Sequence, residues 1–71
     1  MKNTRMKAAR VLAGLTQSEL AEKIGLNVQS IYRIEMGIFD PSLKTCKKIC
    51  RALNVTLDQI FEDEEFIKKE L

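Results

Sequence analysis

A helix stop and a helix start stand almost back to back in this sequence, at Gly25 and Asn27, with Leu26 between them. Glycine adopts the left-handed conformation that closes a helix, and asparagine at a cap accepts from an amide of the next helix's first turn. Two short helices joined so tightly bury their apolar faces together only by crossing steeply. The flanking residues agree. Upstream, Thr16-Gln17-Ser18-Glu19 has the capping-box pattern, and Leu20, Ala21 and Ile24 then form an apolar face that runs to Gly25. Downstream, Ile31 and Ile34 lie three apart on one face, and Gly37 ends the helix near Met36. Ala21 is small enough for the helices to approach closely, and Leu26, Ile31 and Ile34 are expected to fill the crossing.

The rest of the chain is punctuated in the same way. A first helix is expected from Lys2 or Asn3 to Ala13, with Met6, Ala9 and Ala13 on one face and Gly14 as its stop. Asp40-Pro41-Ser42 marks a loop, and Ser42 caps a fourth helix. Leu43, Cys46, Ile49, Cys50 and Leu53 fall on one face of it, and Lys44, Lys47, Lys48 and Arg51 on the other. Asn54 ends that helix. Thr56-Leu57-Asp58-Gln59 repeats the capping-box pattern and opens a fifth through Ile60 and Phe61. No stretch alternates as a strand would, so the fold class is all-α, with five helices. A chain of 71 residues buries only roughly 60% of its unfolded surface, which excludes two separate cores. Residues 1–61 read as one domain, and residues 62–71 as an acidic and apolar C-terminal extension.

Composition removes several classes of function. Histidine is absent and there are two cysteines, so a zinc site of about four ligands has no donor set. Cys46 and Cys50, one turn apart on an apolar face, read as core. No Ser or Cys has a histidine to activate it, and no glycine-rich phosphate loop is present, so no catalytic residue, cofactor or small-molecule substrate is expected. No apolar run approaches the roughly 18 residues of a membrane span, which makes a cytoplasmic chain the expectation. Charge is uneven. Residues 1–57 hold ten Lys/Arg and four Asp/Glu, whereas residues 58–71 hold two Lys and six acids. A basic body of this kind fits an anionic partner such as nucleic acid.

The steep crossing leaves Val28, Gln29, Tyr32 and Arg33 as one outward stripe on the second helix of the pair. Gln and Arg read base edges by bidentate hydrogen bonds. Here the chain resembles a known family. Gly14-Leu15-Thr16-Gln17-Ser18-Glu19-Leu20-Ala21-Glu22-Lys23-Ile24-Gly25 is similar to the start of the DNA-binding domain of phage repressors and Cro proteins, the Xre-type helix-turn-helix family. Gln29-Ser30-Ile31-Tyr32-Arg33-Ile34-Glu35-Met36-Gly37, Pro41-Ser42-Leu43 and Ala52-Leu53-Asn54-Val55 follow its later pattern, so the resemblance covers about residues 4 to 61.

The resemblance implies a five-helix, lambda-repressor-like domain whose third helix lies in the DNA major groove. It implies that the Gln17 amide touches a phosphate and braces the third helix, and that Asn27, Val28, Gln29 and Arg33, with Tyr32 on the same stripe, meet bases or adjacent backbone. Arg10 and Glu35 match a pair that forms a partly buried salt bridge. Apart from the resemblance, Lys44 heads the basic stripe of the fourth helix, which reads either as a solvated face or as a phosphate contact. The family's loop after the glycine is often basic, but here it reads Ile38-Phe39-Asp40; its backbone amides, not its side chains, are then left to meet phosphate. The implied function is a sequence-specific, double-stranded DNA-binding transcriptional regulator, a repressor acting as a homodimer on an operator. The alternative on the same fold is an antitoxin or other protein-binding module. Operators of this kind are read as two half-sites about 34 Å apart, and Phe61, Phe66, Ile67 and Leu71 are the expected dimer contact, the alternative being that Phe66 and Ile67 fold back onto their own core.

Overall fold

The computed structural model describes residues 2–61. Its helices are α1 (Thr4–Leu12), α2 (Gln17–Ile24), α3 (Val28–Glu35), α4 (Leu43–Leu53) and the single turn α5 (Leu57–Ile60). Side chains open four of the five. Asn3 accepts from the Met6 amide, Asn27 from the Ser30 amide and Ser42 from the Thr45 amide. Thr16 and Glu19 close a full capping box, with 3.0 Å from the Glu19 amide to Thr16 Oγ1 and 2.8 Å from the Thr16 amide to Glu19 Oε1. At α5 the Thr56 amide donates to Gln59 Oε1 at 2.7 Å.

Helices α1 to α4 all end alike. The residue at positive φ (Gly14, Gly25, Gly37 or Asn54) donates its amide back to a carbonyl three residues earlier, and the next residue donates to one five earlier. This paired closure satisfies carbonyls that the last turn leaves open. Leu15, Leu26 and Val55, which follow three of these stops, turn back against the core. Ile38, which follows the fourth, stays exposed beside an exposed Phe39.

Met6, Leu20, Ile31, Cys46 and Ile49 are fully buried, so α1 to α4 all supply the centre of the core. Helix α2 packs on α3 and α4, while α5 packs on α1 and α4. Both cysteines are buried and unbridged. Asn3 ties distant parts together: its amide donates to the Glu35 carbonyl and its Nδ2 to the Ile60 carbonyl, each at 2.8 Å. Among the described residues no helix is long and apolar enough to cross a membrane.

Two expectations are corrected. Ala13 does not share the buried face of α1; it caps the helix and is exposed, and Arg10 takes the inner position. Phe61 is not a surface contact for a second copy. It is only 7% exposed and belongs to the core beside Ile60. The Phe61 amide closes on the Leu57 carbonyl at 2.7 Å, so Phe61 completes the turn of α5 next to the buried Ile60. Phe66, Ile67 and Leu71 lie outside the described residues.

Candidate nucleic-acid interface

The interface is organised around one buried carboxylate. Glu35, on the last turn of α3, accepts from Arg10 Nε at 2.7 Å and Arg10 Nη2 at 3.3 Å, a two-point pairing between buried groups. Gln17 Nε2 donates to the same carboxylate at 3.1 Å, and Arg10 Nη1 donates to the Leu15 carbonyl at 2.8 Å. One side chain on α3 is therefore held by α1, by the first residue of α2 and, through Arg10, by the turn between them. A planar guanidinium fixes angle as well as distance, so the pose of α3 against the start of α2 is set from inside. A buried pair of this kind adds little net stability, but breaking it leaves a charge uncompensated.

That pose determines what α3 presents. Ile31 and Ile34 point into the core together with Glu35, while Gln29 and Arg33 are exposed, Val28 is 41% exposed and Tyr32 49%. The four outward residues lie on one stripe, as a 3.6-residue period requires. Asn27 stands at the head of the stripe, but its Oδ1 accepts from both the amide and the hydroxyl of Ser30, at 2.8 and 3.0 Å. It therefore offers the surface its Nδ2 donors. Gln17 is half-buried; one of its amide hydrogens engages Glu35, and an amide nitrogen carries a second donor besides. Lys44 is exposed on the first turn of α4, beyond the loop that follows α3.

That loop differs from expectation. The Ile38 amide donates to the Arg33 carbonyl at 2.9 Å, Phe39 to the same oxygen at 3.3 Å, and Gly37 to the Ile34 carbonyl at 3.1 Å. Closing α3 occupies the Ile38 and Phe39 amides, two of those that were to meet phosphate. The start of α2 is more open. Thr16 Oγ1 takes the Glu19 amide and the Thr16 carbonyl takes that of Leu20, so the first two amides of α2 have no partner within the helix. Shallow depressions lie on both sides of Gln17, one reaching Val28 and the other Tyr32. Lys2, Lys7 and Ser18 line them and were missing from the sequence-derived set. One signal for Lys7 was available: it precedes Arg10 by three residues and so shares its side of α1.

The helix-turn-helix family pattern matches residues 6–60. The chain belongs to this Xre-type helix-turn-helix family. An uncharacterised helix-turn-helix-type transcriptional regulator of Methanocaldococcus jannaschii is 46% identical to it over 67 residues, covering 92% of this chain and 100% of the relative. Another, from Archaeoglobus fulgidus, is 41% identical over 64 residues, 87% of this chain and 91% of that protein. The immunity repressor protein of Bacillus phage phi105 is 38% identical over 66 residues, which is 93% of this helix-turn-helix chain and 46% of the repressor. In this chain α2 and α3 are the two helices of the motif, and Gly25-Leu26-Asn27 is its turn.

Proposed function

We propose that this chain is a sequence-specific transcriptional regulator that binds double-stranded DNA with α3 in the major groove. The observation that carries this reading is the outward stripe of Val28, Gln29, Tyr32 and Arg33, held in a fixed pose by the buried Arg10–Glu35–Gln17 network. Gln29 and Arg33 read base edges, and Val28 meets a thymine methyl. Asn27 and Tyr32 contact bases or adjacent backbone. Gln17 and Lys44 hold phosphates, which position the domain without specifying sequence. The names of the relatives, transcriptional regulators and an immunity repressor, support a repressor that occludes an operator. A cytoplasmic location follows from that partner.

The operator is read by a homodimer, because one recognition helix spans only a few base pairs and half-sites stand about 34 Å apart. With Phe61 in the core, the proposed contact falls to Phe66, Ile67 and Leu71 of the C-terminal extension, residues 62–71, which follows the DNA-binding domain 1–61 in sequence.

One experiment tests the whole reading: selection of bound duplexes from a random pool by the full chain. The expected product is an inverted repeat. Gln29→Ala and Arg33→Ala should each relax discrimination at particular positions by about 1–3 kcal/mol, while Gln17→Ala should weaken binding to every sequence alike. An unchanged selected sequence in both Gln29→Ala and Arg33→Ala would overturn the recognition face. A single, unrepeated half-site would overturn the dimer and leave DNA binding standing.

A further inference from the structure

Two depressions flank Gln17 on the side of the molecule that carries the α3 stripe. One is lined by Lys7, Thr16, Gln17, Ser18 and Val28, with Arg10 and Leu15 behind them. The other, of about 320 Å³, is lined by Lys2, Lys7, Gln17, Tyr32 and Met36, together with Glu35. Lys7 and Gln17 are the residues common to both. Val28 borders one depression and Tyr32 the other, so the pair of hollows and the outward stripe form one continuous surface.

We propose that Lys7, with Lys2, holds the phosphate backbone beside Gln17, which adds α1 and the residues just before it to α2, α3 and α4 as part of the DNA-binding surface. The proposal rests on the DNA-binding reading above and deepens it. The charges favour it. Lys7 is exposed on α1, and no carboxylate pairs with it among the described residues. Among the described residues of the two linings Glu35 is the single acid, and its oxygens accept from Arg10 and Gln17. Among the described residues, a duplex strand passing Gln17 therefore meets two ammonium groups with no opposing free carboxylate. A lysine on a four-carbon stem neutralises phosphate as a mobile point charge, without fixed geometry. The contact adds affinity and salt dependence but no sequence preference.

The test titrates the full chain with its selected duplex between about 50 and 200 mM salt. Lys7→Ala should flatten the slope of log K against log salt by about 0.9, and the Lys2→Ala/Lys7→Ala pair by about 1.8. The selected sequence and the thermal midpoint should not move, and Lys7→Arg should keep the parent slope. Lys23→Ala, at the opposite end of α2 from Gln17, should also keep it. An unchanged slope in Lys7→Ala overturns the inference, and so does an equal fall in Lys23→Ala, which would mean that overall charge acts rather than a contact. A parent chain without salt-dependent duplex binding overturns the DNA-binding reading and the inference together. A parent that binds while Lys7→Ala matches it overturns the inference alone.

Discussion

Arg33 and Glu35 sit two residues apart on α3, one in solvent and the other buried against a guanidinium. The same eight-residue helix thus has an inner face of Ile31, Ile34 and Glu35 that answers to the fold, and an outer face that answers to a partner. The difference shows where each kind of change should register. Glu35→Ala strands the Arg10 charge in the core and should destabilise the chain by about 3–5 kcal/mol, a large share of what a domain this size has. Arg33→Ala and Gln29→Ala should stay within about 0.5 kcal/mol of the parent. Replacing both members of the pair, Arg10→Met with Glu35→Leu, should cost less than Glu35→Ala alone, since no unpaired charge remains. Urea unfolding followed by circular dichroism measures all of these. Equal losses for Glu35→Ala and Arg33→Ala would erase the distinction between the two faces.

The outer face was legible because it follows from local chemistry. Asn27 caps, Gly25 stops, and a 3.6-residue period assigns Ile31 and Ile34 inward, which sends Gln29 and Arg33 outward. The capping box at Thr16 and the stops at Gly37 and Asn54 were readable for the same reason. What failed depended on where a short segment turns. Periodicity places Ala13 on the inner face, but α1 has already ended there. Phe61 is plainly apolar, yet a single turn of helix carries too little periodicity to say whether the ring meets its own core or a second copy. The Asn3 clasp joins residues up to 57 apart in sequence, and no local pattern encodes that. The loop after α3 was misread because the route the chain takes on leaving the helix decides its amide partners. Residue type does not.

Gly25 connects the two faces, because the turn it makes sets how α3 crosses α2. Its φ is 75°, and a Cβ added there would meet nothing within 4 Å. The cost of Gly25→Ala is therefore a backbone cost alone, about 1–2 kcal/mol. Asn54 closes α4 at φ 55° in the same paired-bond arrangement, so the chain already accepts asparagine in this role. Gly25→Asn should then lose less than Gly25→Ala. If alanine and asparagine cost the same in thermal unfolding, side-chain packing rather than φ controls the turn. The idea that Gly25 acts through conformation would then fail.

The smallest effect separates two reaching-back side chains that differ by a charge: Glu19 accepts the cap amide of α2 and Gln59 that of α5. The backbone amide of Thr16, and then its side chain, hold the Glu19 carboxyl below its ordinary value of 4.5. The folded state therefore favours the ionised form, near the positive end of the α2 dipole. Stability from this source is present above pH 4.5 and is lost as the pH falls through the lower, folded value. Glu19 is fully exposed, so the contribution is small and weakens with salt. Glu19→Gln keeps an acceptor for the Thr16 amide and removes only the charge. The parent should be slightly more stable than this variant near neutral pH, and the gap should close as the pH drops below 4.5. Gln59→Glu should give α5 the same acid sensitivity. Urea midpoints across that pH range provide the measurement. A gap between parent and Glu19→Gln that stays constant through acid would show that Glu19 works by geometry alone, as Gln59 does.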